Sequence, residues 1–470
     1  MILRMPAAIC AACVLLILPA AALDVSSWPM QRGDPAGTAA VTLPAPSAPL
    51  RAWTFSGRPA QVYEPGVPTW GSPAFAVVEG QPCVFIGGHD QTLHALDLAT
   101  QQCRWSRITN GSILDAPCVA VVRNVPTVFW GSSDRFVYAH AATDGALLWT
   151  RELALPSNTQ GSMRIPAPMC DGETLFVAWF VNDKALARSS QDAALAALDA
   201  ATGRLLWQRP LTHGPVNAPM AATLGGQQYL FVPARKGLLQ AFAVSRAGAT
   251  PAWSFQMPHE VLGSPVISTN GQPALFLGSK FGDLVAIDAL AGTQLWHRMT
   301  GNWVDNNACC GRAGEQAAVF VGSHDYSLYA LQAETGAVLW RRPLGGEVYS
   351  APCYFTAQGR QFVAVACLDD RLYVVEADTG RVAGCFQVGR PTWDKVPKGQ
   401  VLWSSPIAVA SGGDAVLVHG GYDGNIYVLP LTGATPFRAH PREAAGLWTG
   451  MLLVAVLFCG VILPILVRGK

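Results

Sequence analysis

A phrase of about 48 residues recurs along this chain, and that repetition constrains the fold before any single residue is considered. Each copy runs through a small residue and a proline, an apolar strand, a Gly-Ser/Gly-x-Asp turn, a strand of the type Leu-Tyr-Ala-Leu-Asp, and Thr-Gly-x-x-Leu-Trp. The clearest copy is VFVGSHDYSLYALQAETGAVLW, from Val319 to Trp340. Its relatives end at Trp105, Trp149, Trp207, Trp253 and Trp296, and in another copy Gly384 stands at the tryptophan position. The last copy, VLVHGGYDGNIYVL, stops at Leu429 without a tryptophan strand; the missing strand is at the other end, in Leu50-Arg51-Ala52-Trp53-Thr54-Phe55.

This period belongs to a four-stranded propeller blade and not to a helical solenoid unit. The expected fold is all-β: an eight-bladed propeller of four-stranded blades over residues 23–430. The N-terminal strand at Trp53 completes the blade made by the C-terminal strands, which leaves no open sheet edge. Prolines at 73, 117, 168, 219, 265, 352 and 406 mark blade starts independently, and the one start without a proline is Ala308-Cys309-Cys310. Only 13% of residues are charged while 46 are Gly and 34 Pro, a balance that excludes disorder and coiled coil and suits a turn-rich β-body. The regularly spaced tryptophans are expected to cover the gaps between blades.

The chain ends carry targeting signals. Arg4 precedes the apolar run Ala7 to Leu18, and Pro19-Ala20-Ala21-Ala22 supplies small residues for cleavage, so residues 1–22 are expected to be a signal peptide. After a polar linker (431–443), residues 444–467 are apolar and uncharged; as a helix they would rise about 36 Å, enough for a bilayer core of about 30 Å. A transmembrane helix is therefore expected there, with 468–470 as a cytoplasmic tail. The propeller would then stand on the periplasmic or extracellular side of the cytoplasmic membrane.

Several chemistries have no support. The formal net charge of +1 gives no bulk attraction to nucleic acid. There is no Cys-x-x-Cys-His, Gly-x-Ser-x-Gly, His-Glu-x-x-His, P-loop or dinucleotide fingerprint. His89 and His324 recur in Gly-(Gly/Ser)-His-Asp turns and read as turn geometry. Nine cysteines lie outside the signal and the apolar C-terminal segment; Cys83 with Cys103, and Cys353 with Cys367 or Cys385, are candidate bridges.

The repeats, together with Trp28-Pro29-Met30-Gln31-Arg32-Gly33 ahead of them, resemble the pyrroloquinoline quinone-binding-like propeller superfamily over roughly residues 28 to 430. That superfamily holds quinoprotein dehydrogenases and also cofactor-free propellers, among them the propeller lipoprotein of the bacterial outer-membrane barrel-assembly machinery. The dehydrogenase resemblance implies that Trp303, Cys309 and Cys310 stack a quinone (PQQ), the adjacent cysteines as a disulfide. It also implies that Asp305, Asn306 and Asn307 ligate calcium or a lanthanide. The cysteine pair falls in the sixth repeat here, whereas the family's lies early in the propeller, and no acidic motif for a catalytic base is recognised.

Other expected channel or rim residues are Trp70, Arg164, Tyr349, Trp403 and Trp393, with Asn217, Asp115 and Glu347, as ligand- or partner-binding or as channel packing. Two functions stay open on the sequence. The first is an exported, membrane-anchored scaffold that binds an unidentified membrane or periplasmic protein, with no assured cofactor. The alternative is a PQQ- and metal-dependent dehydrogenase of an alcohol or sugar.

Overall fold

Each repeat folds as an antiparallel sheet, and eight such sheets are present. The computed structural model describes residues 40–42, 53–56, 71–154, 162–182, 193–268, 271–357, 359–388, 404–411, 414–420 and 425–430. The signal and linker segments, the apolar segment 444–467, Trp70, Trp393 and Trp403 lie outside them. No helix among the described residues is long and apolar enough to cross a membrane.

The inner strands of blades one to eight are Ala74–Val78, Cys118–Val122, Met169–Cys170, Met220–Leu224, Val266–Ser268, Cys309–Ala313, Cys353–Ala357 and Ile407–Ser411. From each, the sheet runs outward in chain order through two central strands to the tryptophan strand. The eighth blade closes as the repeat demands. Its outer strand is Trp53–Ser56, antiparallel to Asn425–Pro430, with Trp53 opposite Val428 and Ser56 opposite Asn425. One strand was not foreseen: Ala40–Thr42, in the leader, runs parallel to the inner strand of the seventh blade, Val41 opposite Phe355.

A three-residue ladder explains why each repeat spells Phe, Ala and Trp where it does. In the sixth blade Phe320 lies opposite Ala330, and Ala330 opposite Trp340. The same ladder is Phe85-Ala95-Trp105 in the first blade and Phe276-Ala286-Trp296 in the fifth. The small alanine leaves the two rings free to meet across it, and their centroids come within 5.6 to 5.9 Å in these three blades. A bulge follows each ladder, between Ala330 and Leu331 in the sixth blade, and twists the outer strand. In the seventh blade the sizes are reordered: Ala364, Val374 and Gly384 occupy the three places.

The indole then crosses to the next blade. Trp105 Nε1 donates to Ala142 O at 3.0 Å, Trp149 to Ala200 O at 2.9 Å, Trp296 to Ala333 O at 2.9 Å and Trp340 to Ala377 O at 2.9 Å. Its ring lies against the Thr-Gly turn. A Cβ on Gly336 would stand 2.7 Å from the Trp296 ring, and φ there is +68°. Two residues after Trp105 and Trp296, arginines reach the same turn, with Arg107 Nε donating to Gly145 O at 2.6 Å and Arg298 Nε to Gly336 O at 2.9 Å. Burying an indole removes about 200 Å² from water, so this seam carries much of the inter-blade energy. The fourth blade replaces the Thr-Gly turn with Ser245-Arg246-Ala247-Gly248. Trp207, left half covered, there lines a cavity of about 420 Å³ with Arg209 and Ala249.

Gly336→Ala is expected to destabilise the fold by about 3 kcal/mol in urea unfolding, since it combines left-handed strain with an indole clash. Gly314→Ala, at φ +61° with nothing within 4 Å of the new Cβ, is expected to lose only about 1 kcal/mol. Equal losses would show that the indole seam does not hold the blades.

Candidate functional site

Each blade's outer strand returns to the next inner strand by a loop at the same end of the propeller as the turns between its two central strands. Polar contacts tie these loops blade to blade around the axis. Ser405 N donates to Ser72 Oγ at 3.0 Å, and Ser405 Oγ accepts from Ala351 N at 3.0 Å. Asn217 Nδ2 donates to Leu262 O at 3.3 Å, and Arg164 pairs with Asp115 at 3.5 Å. Asn306 and Asn307 belong to the same set: Asn306 Nδ2 donates to Tyr349 O, and Asn307 Oδ1 accepts from Ser264 N.

Within this ring the sector from the fifth to the seventh blade concentrates chemistry. His324, in the central turn of the sixth blade, is buried between two carboxylates: Nε2 is 3.3 Å from Asp305 Oδ2 and Nδ1 is 3.8 Å from Glu347 Oε2. Tyr349 packs against its ring at a 38° tilt, 3.8 Å between centroids, and Trp303 lies at 5.6 Å. Lys280 Nζ is 5.9 Å from the Trp303 ring centroid and bonds Glu260 at 2.8 Å. The sequence signal for His324 was masked by its turn motif, which the first blade repeats at His89.

Burial pushes the Asp305 carboxyl up to about 6; Glu347 and Glu260 add to the shift and Lys280 opposes it. Burial likewise raises the Glu347 carboxyl, against its hydrogen bond with Tyr349, and lowers His324 to about 4, against the pull of Asp325. The imidazole is therefore neutral at pH 7. Beside this cluster the same end of the propeller exposes Phe281, Met299, Trp303 and Tyr326. Phe281 packs on His259 at 4.6 Å between centroids. Phe281 and Tyr326 hold φ of 84° and 68°, the left-handed region that a bulky side chain occupies only at a cost.

The residues expected to stack a quinone are divided by the sheet itself. Cys309 and Cys310 pair with Phe320 and Val319 in one antiparallel register, so their side chains point to opposite faces of the blade. Cys309 joins the core with Cys353 in the seventh blade, and Cys310 the core with Val266 in the fifth. Neither is in a disulfide, and burial raises the Cys309 thiol well above its ordinary range. This pair does not fit a disulfide lying flat against a cofactor. The amides of Asn306 and Asn307 already serve the loop ring, and no three His, Cys, Asp or Glu among the described residues are grouped to hold a metal.

None of the candidate bridges forms either; none of the nine described cysteines is in a disulfide. Cys83 and Cys103 sit on strands two apart, about 10 Å, beyond what a disulfide spans. Cys353 lies opposite Ala364 on the adjacent strand, three residues short of Cys367.

With this geometry in view, the comparisons with known proteins become informative. A family model described as "Outer membrane protein assembly factor BamB" matches residues 51–179, 133–308 and 280–436. The chain belongs to this family. It is a BamB-like propeller of PQQ repeats, similar in structure to BamB from Moraxella catarrhalis at 15% identity and TM-score 0.53, over 84% of this chain and 99% of that one. It is also similar to a europium-containing methanol dehydrogenase, at 12% identity and TM-score 0.64 over 87% and 98% of the two chains. Quinohemoprotein alcohol dehydrogenase from Comamonas testosteroni matches at 12% identity and TM-score 0.64 over 88% and 82%. At these identities the likenesses establish the fold alone. No curated protein matches the chain by sequence.

Two outcomes follow from the buried groups of this BamB-like propeller. Because the folded Asp305 holds its proton up to about pH 6, above its ordinary 3.8, its contribution to stability falls as pH rises through that window. Asp305→Asn should therefore raise stability by on the order of 1 kcal/mol at pH 8 and leave it nearly unchanged at pH 4, as read by thermal melts. Maleimide labelling of the native protein should modify exposed Cys103 first and leave Cys309, Cys310 and Cys353 intact until unfolding.

Proposed function

We propose that this BamB-like propeller is an exported, membrane-anchored scaffold that binds a protein partner through the loop end of its fifth and sixth blades. The observation that carries this reading is the exposed aromatic set Phe281, Trp303 and Tyr326 with Met299. Surface aromatics pack partners at little entropic cost, and several exposed large apolar side chains gathered at one end of a propeller suit an interaction site. Phe281 and Tyr326 are moreover held in left-handed backbone, where glycine or asparagine would be more stable. A fold that keeps bulky aromatics there, in water, forgoes stability at those positions.

The signal segment 1–22 would deliver the propeller across the cytoplasmic membrane. The apolar segment 444–467 would tether it there through the linker 431–443, with the partner a membrane or periplasmic protein. The family's printed description, an outer membrane protein assembly factor, is consistent with a scaffold role on that side of the membrane. The split cysteine pair weighs against the dehydrogenase reading, because the quinone would lack its stacking platform.

A photo-reactive amino acid placed at Tyr326 in the full chain, expressed in its own membranes, should yield a discrete cross-linked adduct. Phe281→Ala with Trp303→Ala should reduce that adduct at least about fivefold, and the same probe at exposed Val338 on the outer rim should yield none. A saturating absorbance change with pyrroloquinoline quinone and calcium or a lanthanide, abolished by Cys309→Ser with Cys310→Ser, would instead establish the dehydrogenase.

A further inference from the structure

Beside the exposed aromatics stands a cluster of groups that accept hydrogen bonds. Asp305 and His324 are 8% and 4% exposed; Asp305 Oδ1 has no hydrogen-bond partner among the described residues, and His324 Nε2 faces Asp305 Oδ2 at 3.3 Å. A buried carboxylate oxygen in this condition is costly and gains strongly when a donor arrives. His324 stands between the two carboxylates, at 3.3 Å from Asp305 and at 3.8 Å from Glu347, the second too long for a hydrogen bond. Trp303 and Tyr349 supply aromatic surface on the same imidazole.

The class of ligand follows by elimination. Two carboxylates exclude an anion, and unpaired buried acceptors make an apolar group costly. A bare metal ion is disfavoured because these groups are not set as a ligand cluster and the neighbouring amide oxygen of Asn307 is engaged by Ser264 N. What remains is an organic cation carrying several N–H donors. Such a group would bond Asp305 and Glu347 and face the rings of Trp303 and Tyr349. Lys280 already illustrates the preference, its ammonium lying 5.9 Å from the Trp303 centroid while bonded to Glu260.

We infer that the cluster of Asp305, His324 and Glu347 receives a basic side chain, a guanidinium or an ammonium, from the partner protein that docks on the adjoining exposed aromatics. This rests on the scaffold reading above and adds to it the chemistry of one anchor residue. Glu347, the more exposed of the two carboxylates, meets the cation first, and the more buried Asp305 completes its bonding. The anchor gives specificity, since an uncharged residue would cover both carboxylates without adding a counter-charge to that of Lys280.

The test uses the full chain in detergent, labelled with 5-fluorotryptophan, the Trp303 resonance being assigned from Trp303→Phe. N-acetyl-arginine amide should shift that resonance saturably, and N-acetyl-citrulline amide, of the same shape without the charge, should not. Asp305→Asn with Glu347→Gln should weaken the arginine response at least about tenfold while thermal melts show the fold retained. Equal shifts from both amides, or an undiminished response in the double variant, overturn the inference. If the Tyr326 adduct persists in the double variant and arginine amide does not bind the wild type, the cation site falls and the scaffold stands. If arginine amide binds but no adduct forms in membranes, the partner assignment falls and the cluster is a site for a small cation.

Discussion

Everything in this propeller depends on one contact, the indole of one blade seated on the Thr-Gly turn of the next. A four-stranded sheet cannot bury both of its faces alone, so a blade is stable only between neighbours. The indole supplies what face-to-face stacking lacks, a directional bond from Nε1 to a named carbonyl, as from Trp296 to Ala333. It fixes the rotation of each blade against its neighbour as well as the distance. A ring built from such directional steps must close, and closure explains why the strand completing the eighth blade is Trp53–Ser56, a strand of the tryptophan type drawn from the other end of the chain.

Because the seams lie toward the outer strands, the loop end near the axis is free to diverge in sequence. It is not free to move apart, since Ser72, Ser405, Asn217, Asn306 and Asn307 tie successive loops together. Rigidity with sequence freedom is what a recognition surface requires. The left-handed turn residue ahead of the third strand, in the blades where it is described, shows how this freedom is used. The first, second and seventh blades place Gln91, Arg135 and Asp370 there, whereas the sixth places Tyr326, and in the fifth Phe281 stands one residue earlier. The turn thus carries a solvated side chain in the first and second blades, a buried one in the seventh, and an exposed aromatic in the two adjacent fifth and sixth blades.

The fold was legible because the repeat is a physical unit: Phe, Ala and Trp recur at fixed spacing since they form a single ladder across three strands. Blade number, four-stranded blades and closure at Trp53 all follow from that spacing. The leader strand Ala40–Thr42 was not legible, because three residues in a Pro- and Ala-rich stretch show no alternation, and parallel pairing to a strand over 300 residues away leaves no local trace. At the site, proximity in sequence misled. Cys309 and Cys310 are neighbours in the chain, but strand alternation sends them into different cores. Conversely Asp305, His324 and Glu347 are spread over 42 residues, a little under one repeat, and meet only because successive blades bring their loops to one end. Trp303 and Asp305 stand out through the quinoprotein resemblance and Tyr349 through its place near a blade start; His324, which joins them, is hidden in a turn motif.

A single architecture supports redox enzymes and binding modules, and what separates them is which part of it remains available to a ligand. The inner strands are the only strands whose free edges face the axis, and in the seventh blade that edge is taken by the leader, residue for residue from Ala40 opposite Tyr354 to Thr42 opposite Thr356. A flat cofactor near the axis would have to share space with this strand, and it would find no vicinal disulfide to rest on. The loop end offers the opposite conditions: exposed rings, a neutral imidazole between two carboxylates, and Asp305 Oδ1 without a hydrogen-bond partner among the described residues. Buried acceptors are expensive when left alone and strongly favourable when a donor arrives. This acceptor stands beside exposed aromatic surface, so that a partner of the proposed scaffold that covers the one would complete the other.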